Sequence, residues 1–361
     1  MQIGIVGLPY SGKTTLFQTL TQIHLDMHAL QKRDANQAIV KVPDTRLDLL
    51  SEIFQPKKKV NATIDIVDMV GIQRGERASQ SFTSHFLTKV RTNDALIHVV
   101  RGFEDETIPH VDGSINLFRD IRTLEEEFIF ADMAFVESRL EKLDKELLKS
   151  KNKDETKKEI EVMQRWNETL QAELPLRELE VLADDIKYLK NYQPLSAKPL
   201  LLALNLGESD TSRAEVIVNE IKAKIKAKNI RVEPFFAKIE LELSQLSDEE
   251  KEMFMEEYGL KESPLSRLIK AAYELLGLQS FFTVGEDECR AWTIRVGMNA
   301  QESSGVIHTD FYNKFIRAEV IGYNDFIANP TLSKCREKGL LRLEGRDYIL
   351  HNGDIINVRH G

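Results

Sequence analysis

Hydrophobic and polar positions along this chain fall into three textures. In the first, Gln2–Val6, Ala95–Val100 and Pro199–Leu204 are continuous apolar runs, the pattern of strands buried on both faces of a parallel sheet. Asn61–Val67 alternates apolar and polar positions, and Ala38–Val42 and Val232–Phe236 are short β-rich runs. Between these strands, Leu16–Gln22, Asp44–Ile53, Ser81–Arg91, Ser212–Lys228, Ser247–Tyr258 and Ser263–Leu276 are predicted as helices. Ser247 ahead of Glu250 makes a capping box. Ile23–Asn36 is polar and aperiodic and is predicted as a long surface loop. Strands alternating with helices predict an α/β domain.

The second texture begins near Asp120. Met133, Val136, Leu140, Leu143 and Leu147 repeat at 3-4-3-4 spacing, a coiled-coil seam. After a charged turn at Ser150–Thr156, a second run carries Ile160, Met163, Trp166, Leu170 and Leu174. Two helices joined by a turn predict an antiparallel hairpin inserted into the sheet domain. In the third texture, from Ser280, short alternating strands are predicted at Phe281–Val284, Arg290–Arg295, Phe315–Ile321, Leu340–Leu343, Asp347–Leu350 and Ile355–Arg359, joined by turns such as His351–Asp354. The division expected is 1–124 with 197–278 for the α/β domain, 125–196 for the helical insertion and 279–361 for a mostly β module.

Composition narrows the class. The 361 residues are 42% hydrophobic and 30% charged, the make-up of an ordinary globular protein with core enough for two or three domains. No apolar run reaches the ~20 residues that span a bilayer, and no signal peptide is read at the amino terminus. The two cysteines, Cys289 and Cys335, fit neither a disulfide framework nor a metal site. The expectation is a cytoplasmic protein with no membrane partner. A net charge of −9 argues against nucleic-acid binding over the whole surface. Lys57–Lys59, the run from Lys149 to Lys158 and the lysines from Lys222 to Lys228 are each read as a solvated face, with an electrostatic footprint on RNA or a ribosome as the alternative.

The chemistry concentrates at the amino terminus. Gly7-Leu8-Pro9-Tyr10-Ser11-Gly12-Lys13-Thr14 fits G-x-x-x-x-G-K-[ST] directly after a strand and before a helix, and Thr15 continues it. The glycines let successive N–H groups point inward at phosphate oxygens, and the helix N-terminus adds partial positive charge. Lys13 would reach the β- and γ-phosphates, and Thr14 would hold Mg²⁺. Asp68-Met69-Val70-Gly71 fits D-x-x-G at the end of a strand. Asp68 would hold Mg²⁺, and the Gly71 N–H would face the γ-phosphate. His98 lies inside a strand and is read as a core histidine, whereas His110 sits on a polar loop where it could reach a ligand.

Taken with Asn205-Leu206-Gly207-Glu208, the segments His98–Asp105, Tyr273–Leu278, Arg290–Arg295 and Gly305–Phe311, and the Gly353-Asp354 turn, these motifs resemble the YchF family, the Obg-like ATPases within the TRAFAC P-loop GTPases. The resemblance runs nearly end to end. It implies a P-loop G domain carrying the helical hairpin, followed by a TGS domain of β-grasp fold. It also implies a ribosome-associated ATPase that preferentially binds ATP, with GTP weaker, acting as a nucleotide-dependent switch with Mg²⁺. The hairpin and β-grasp module would contact rRNA or ribosomal protein, and no DNA partner is expected. Leu206 and Glu208 replace the Lys and Asp of the guanine-specific N-K-x-D motif, so the residues themselves weaken a GTP reading. Ile72 occupies the position of the water-orienting Gln of Ras-like enzymes, and the resemblance makes His110 the candidate to position water.

The chain also departs from the family. Tyr10 replaces the loop Asn associated with K⁺, which leaves a K⁺ requirement open. No T-I-x-P-N stretch occurs in His28–Val40, and Gln73–Gln80 lacks the usual glycines. Two other readings stay open: a nucleotide-binding protein with little or no hydrolysis, and a GTPase acting as a translation-related switch.

Overall fold

The computed structural model describes residues 1–21, 36–69, 83–149, 153–225, 230–260 and 262–361. Its first seven strands are β1 (Gln2–Val6), β2 (Asn36–Lys41), β3 (Lys58–Val60), β4 (Thr63–Asp68), β5 (Ala95–Gly102), β6 (Leu200–Leu206) and β7 (Ile230–Phe235). The other five are β8 (Leu278–Thr283), β9 (Glu288–Arg295), β10 (Phe315–Gly322), β11 (Arg342–Glu344) and β12 (Asp354–His360). They form two six-stranded sheets, ordered β2-β4-β1-β5-β6-β7 and β11-β10-β12-β8-β9-β3.

In the first sheet β1 runs parallel to β4 and β5, β5 to β6, and β6 to β7. All seven residues of β6 and the first seven of β5 are buried, which explains their continuous apolar sequence. His98, inside β5, is 1% exposed, and burial lowers its pKa to about 3; it is a neutral core residue.

The hairpin consists of Leu117–Lys149 and Lys153–Gln171. Val136, Leu143, Met163, Trp166 and Leu170 share one buried cluster, as the seam requires. Leu174 does not join it. The second helix stops at Gln171, Glu173 takes a left-handed φ of 57°, and Leu174 is left 49% exposed. A further helix, Ala183–Tyr192, was not legible in the apolar spacing.

The second sheet is a β-grasp. β8 and β9 form an antiparallel hairpin, the helix Ala300–Ile307 follows, and β12 pairs parallel to β8 and antiparallel to β10. The strand expected at Asp347–Leu350 reduces to one isolated bridge between Ile349 and Asn299. The helix Ala300–Ile307 was missed although Asn299 and Glu302 cap it reciprocally.

Two compact units result, Met1–Ala38 with Asp65–Leu275, and Ile39–Ile64 with Leu276–Gly361. The hairpin is part of the first unit. Residues 39–64, which sequence order assigned to the α/β domain, complete the second. There β3 pairs parallel to β9, Phe54 stacks on Phe326 at 5.4 Å, and Arg46 donates to Asn352 Oδ1. Lys58 and Lys59 lie in β3, and the side chains of Lys57–Lys59 are exposed, as the solvated-face reading expects. Lys57 pairs with Asp287 and Lys59 with Asp48, both at 2.8–2.9 Å. No helix among the described residues is long and apolar enough to cross a membrane.

Candidate functional site

The loop between β1 and the helix Lys13–Thr21 is shaped by two glycines. Gly7 has φ 148° and Gly12 φ 96°. A Cβ on Gly7 would collide with the Val99 carbonyl, and one on Gly12 with the Asn205 amide. Only glycine fits these approaches. Within the loop Leu8 is buried. Tyr10 adopts φ 60° and is 64% exposed, so the phenol stands mainly in solvent rather than filling the loop.

Lys13 is buried and folds back so that Nζ donates to Leu8 O at 2.7 Å. Burial lowers its pKa to about 8, partly opposed by the Asp68 carboxylate. Asp68, at the end of β4, is 1% exposed. Neither of its oxygens has a geometrically sound hydrogen-bond partner among the described residues. Burial raises its pKa, with the Lys13 charge and the Thr14 hydroxyl pulling it back. A buried carboxylate beside a hydroxyl is a hard-oxygen donor set suited to Mg²⁺. Thr14 and Asp68 thus fit the ion assigned to them. Ser11 Oγ is likewise buried, with no hydrogen-bond partner among the described residues.

Beside the loop lies a cleft of about 880 Å³ lined by Gly12, Thr15, Phe103, Leu206, Glu208 and Lys238, among others. It opens where the chain leaves the C-terminal ends of β5 and β6, the usual ligand position in a parallel sheet. Asn205 is the joint of this region. Its Nδ2 donates to Ser11 O at 3.0 Å and its Oδ1 accepts from the Ala237 N–H at 3.2 Å. Leu206 and Glu208 line the cleft itself, and Glu208 pairs with Lys238 at 2.8 Å. Arg101 steadies the opposite wall. It donates to Phe103 O and Ile108 O, and its guanidinium lies 4.6 Å from the Phe103 ring centroid.

The structure thus brings residues 7–15, Asp68, Asn205, Leu206 and Glu208 to one edge of the sheet. His110 stands in a separate cluster. Its Nε2 donates to Asp120 Oδ2 at 2.9 Å and its Nδ1 accepts from the Asp112 N–H at 3.1 Å. Arg119 also pairs with Asp120 at 2.8 Å. Gly71 and Ile72 lie outside the described residues, as do Gln73–Gln80 and the loop expected before β2 up to residue 35. Sequence reasoning missed Phe103, Arg101 and Lys238 as site residues. Their signal was position, since each follows or ends a strand at the edge that carries the phosphate loop.

The family model described as 50S ribosome-binding GTPase matches residues 2–165, and the YchF-GTPase C-terminal model matches residues 278–361. The chain is 41% identical to the ribosome-binding ATPase YchF of Bacillus subtilis, covering 99% of this chain and 98% of that one. It is 36% identical to Obg-like ATPase 1 of Gallus gallus, over 99% and 91% of the two chains. The structure of the Schizosaccharomyces pombe YchF GTPase superposes with a TM-score of 0.87 at 30% identity, covering 99% of this chain and 97% of that one. The site geometry and the full-length similarity together place the chain in the YchF family of Obg-like ATPases.

Proposed function

We propose that this protein is a ribosome-binding ATPase that works as a nucleotide-dependent switch in the cytoplasm. The observation that carries the reading is the pairing of a glycine-shaped phosphate loop with a buried Asp68 carboxylate beside Lys13 and Thr14. The loop N–H groups of residues 7–15 would cradle the phosphates. Lys13 would leave Leu8 O and turn its ammonium to the β- and γ-phosphates. Gly71 would present its N–H to the γ-phosphate. Thr14 and Asp68 would hold Mg²⁺, which supplies charge neutralisation of the triphosphate when bound. Catalysis would rest on positioning and electrostatics, with His110 orienting the attacking water. Asn205, Leu206 and Glu208 would form the base end of the site, with ATP favoured over GTP.

The ribosome would meet the tip of the helical hairpin, where Lys149, Lys153, Lys157 and Lys158 are exposed and could pair with rRNA phosphates. Single-turnover hydrolysis with Mg²⁺, with and without ribosomes, tests the proposal. Phosphate release well above that of Lys13→Ala, increased by ribosomes, is expected; release no faster than in that variant contradicts it.

A second reading, nucleotide binding without turnover, is favoured by one observation. Both ring nitrogens of His110 are engaged, by Asp120 and by the Asp112 amide. In that reading His110→Ala leaves single-turnover phosphate release at the wild-type background, whereas the ATPase reading expects a clear loss.

A further inference from the structure

One end of the cleft beside the phosphate loop carries an ion pair that the phosphate chemistry does not use. Glu208 follows β6, and Lys238 lies in the first turn of the helix Ala237–Leu243 that follows β7. Lys238 Nζ lies 2.8 Å from Glu208 Oε1, and both residues line the cleft with Gly12 and Thr15. The neighbouring Asn205 amide donates one N–H to Ser11 O and accepts from the Ala237 N–H, tying β6 to the loop and to the helix of Lys238. The ion pair sets a charged donor beside a charged acceptor at this end of the cleft. Its side chains are 33% and 74% exposed, so a ligand can reach them without opening the core.

The hydrogen-bond arithmetic of the pair is asymmetric. An unpaired carboxylate offers two acceptor oxygens side by side, matching the two adjacent donors of guanine, N1–H and the N2 amino group. A carboxylate that shares one oxygen with an ammonium offers one acceptor next to a donor. That is the complement of adenine, whose N6 amino group donates and whose N1 accepts. Guanine at the same place would set one of its N1–H and N2–H donors against the free oxygen and the other against an ammonium that can only donate.

We propose that Lys238 is a specificity-determining residue of the nucleotide site, holding Glu208 in an ion pair that fits adenine and rejects guanine. The inference rests on the reading that this cleft takes a nucleoside triphosphate. Lys238 acts on the base alone, so phosphate binding by Lys13 is separable from it.

Competition of ATP and GTP against a fluorescent nucleotide analogue, on the full chain with Mg²⁺, tests the assignment. Lys238→Met keeps the aliphatic stem and removes the charge, at a position exposed enough to leave folding intact. The ATP-over-GTP preference is expected to fall by about ten- to 150-fold in Lys238→Met, the range spanned by one hydrogen bond to a charged group. Lys238→Arg should retain most of the preference. In a Glu208→Gln background, the effect of Lys238→Met should shrink, because the pair is already broken. A wild-type ratio in Lys238→Met, or a wild type that prefers GTP, overturns the proposal. Tight nucleotide binding with an unchanged ratio defeats this inference alone. A wild type that binds neither nucleotide defeats the underlying nucleotide reading and this proposal with it.

Discussion

Lys13 meets opposing demands at the scale of a single residue. Its ammonium is buried against its own loop, and burial brings its pKa down to about 8 from 10.5. Because the folded value lies below the unfolded one, the unfolded chain binds the proton more tightly between those two values. The ligand-free protein should therefore gain stability as pH rises through that window. A triphosphate would reverse the preference by favouring the charged form. ATP binding at a pH of about 9 should thus take up a substantial part of a proton at the site, and affinity should weaken as pH climbs above about 8. Calorimetric titration in two buffers of different ionisation enthalpy measures that uptake. Binding heats independent of buffer in the wild type would contradict the assignment. The glycines and Lys13 could be read from sequence because the motif that carries them fits within eight consecutive positions, although the groups that crowd the glycines, Val99 O and the Asn205 amide, come from distant strands. Lys238, Phe103 and the joint made by Asn205 could not, because the sheet brings them together from the ends of β5, β6 and β7.

Among the elements, the helix Ser84–Arg91 has the most consequential fastenings. It follows the D-x-x-G segment in the chain, and Thr83 caps its start by accepting from the Phe86 N–H. At its other end, Lys198 donates to the carbonyls of Arg91 and Asn93. Arg91 in turn donates to Asp132 of the long hairpin helix at 3.2 Å and to Tyr192 O at 3.3 Å. Asp132 is fully buried and also accepts from Leu195 N, Ser196 N and Ser196 Oγ at 2.7–3.0 Å. Asp132→Ala would strand these donors and should cost about 3–5 kcal/mol. Arg91→Ala leaves the carboxylate three neutral donors and should cost less, about 1–2 kcal/mol. Urea unfolding of the two variants checks the order; an Arg91→Ala cost equal to or above that of Asp132→Ala would contradict it. Elements with a strong apolar period, such as β5, β6 and the hairpin seam, were legible for the reason that makes them stable. The segment Lys57–Lys59 was not, because its pairing with β9 is a backbone matter and its side chains carry the signature of a solvated face.

At the scale of the whole molecule, the chain order and the packing order disagree. Residues 39–64 lie between the phosphate loop and Asp68 in sequence, yet they belong to the unit containing the β-grasp sheet. Leu47 and Leu50 in that segment are fully buried. Leu50→Ala should therefore destabilise the second unit by about 2–5 kcal/mol, the usual cost of an emptied leucine site. The chain has two tryptophans, Trp166 in the first unit and Trp292 in the second. In a Trp166→Phe background, the Trp292 fluorescence transition should move to lower denaturant; an unmoved transition would place this segment's packing elsewhere. The strands β1 and β4 on either side of this segment are legible from sequence, but its allegiance is not, since no local pattern says which sheet a short edge strand will join. The central claim is that the glycine loop, Lys13 and Asp68 form a working triphosphate site. Equilibrium titration of ATP with Mg²⁺ into the wild type and Lys13→Ala tests it most directly. The account predicts saturable binding by the wild type and a loss of at least about tenfold in the variant, the lower bound for a hydrogen bond to a charged group. Equal affinity in the two proteins would contradict it.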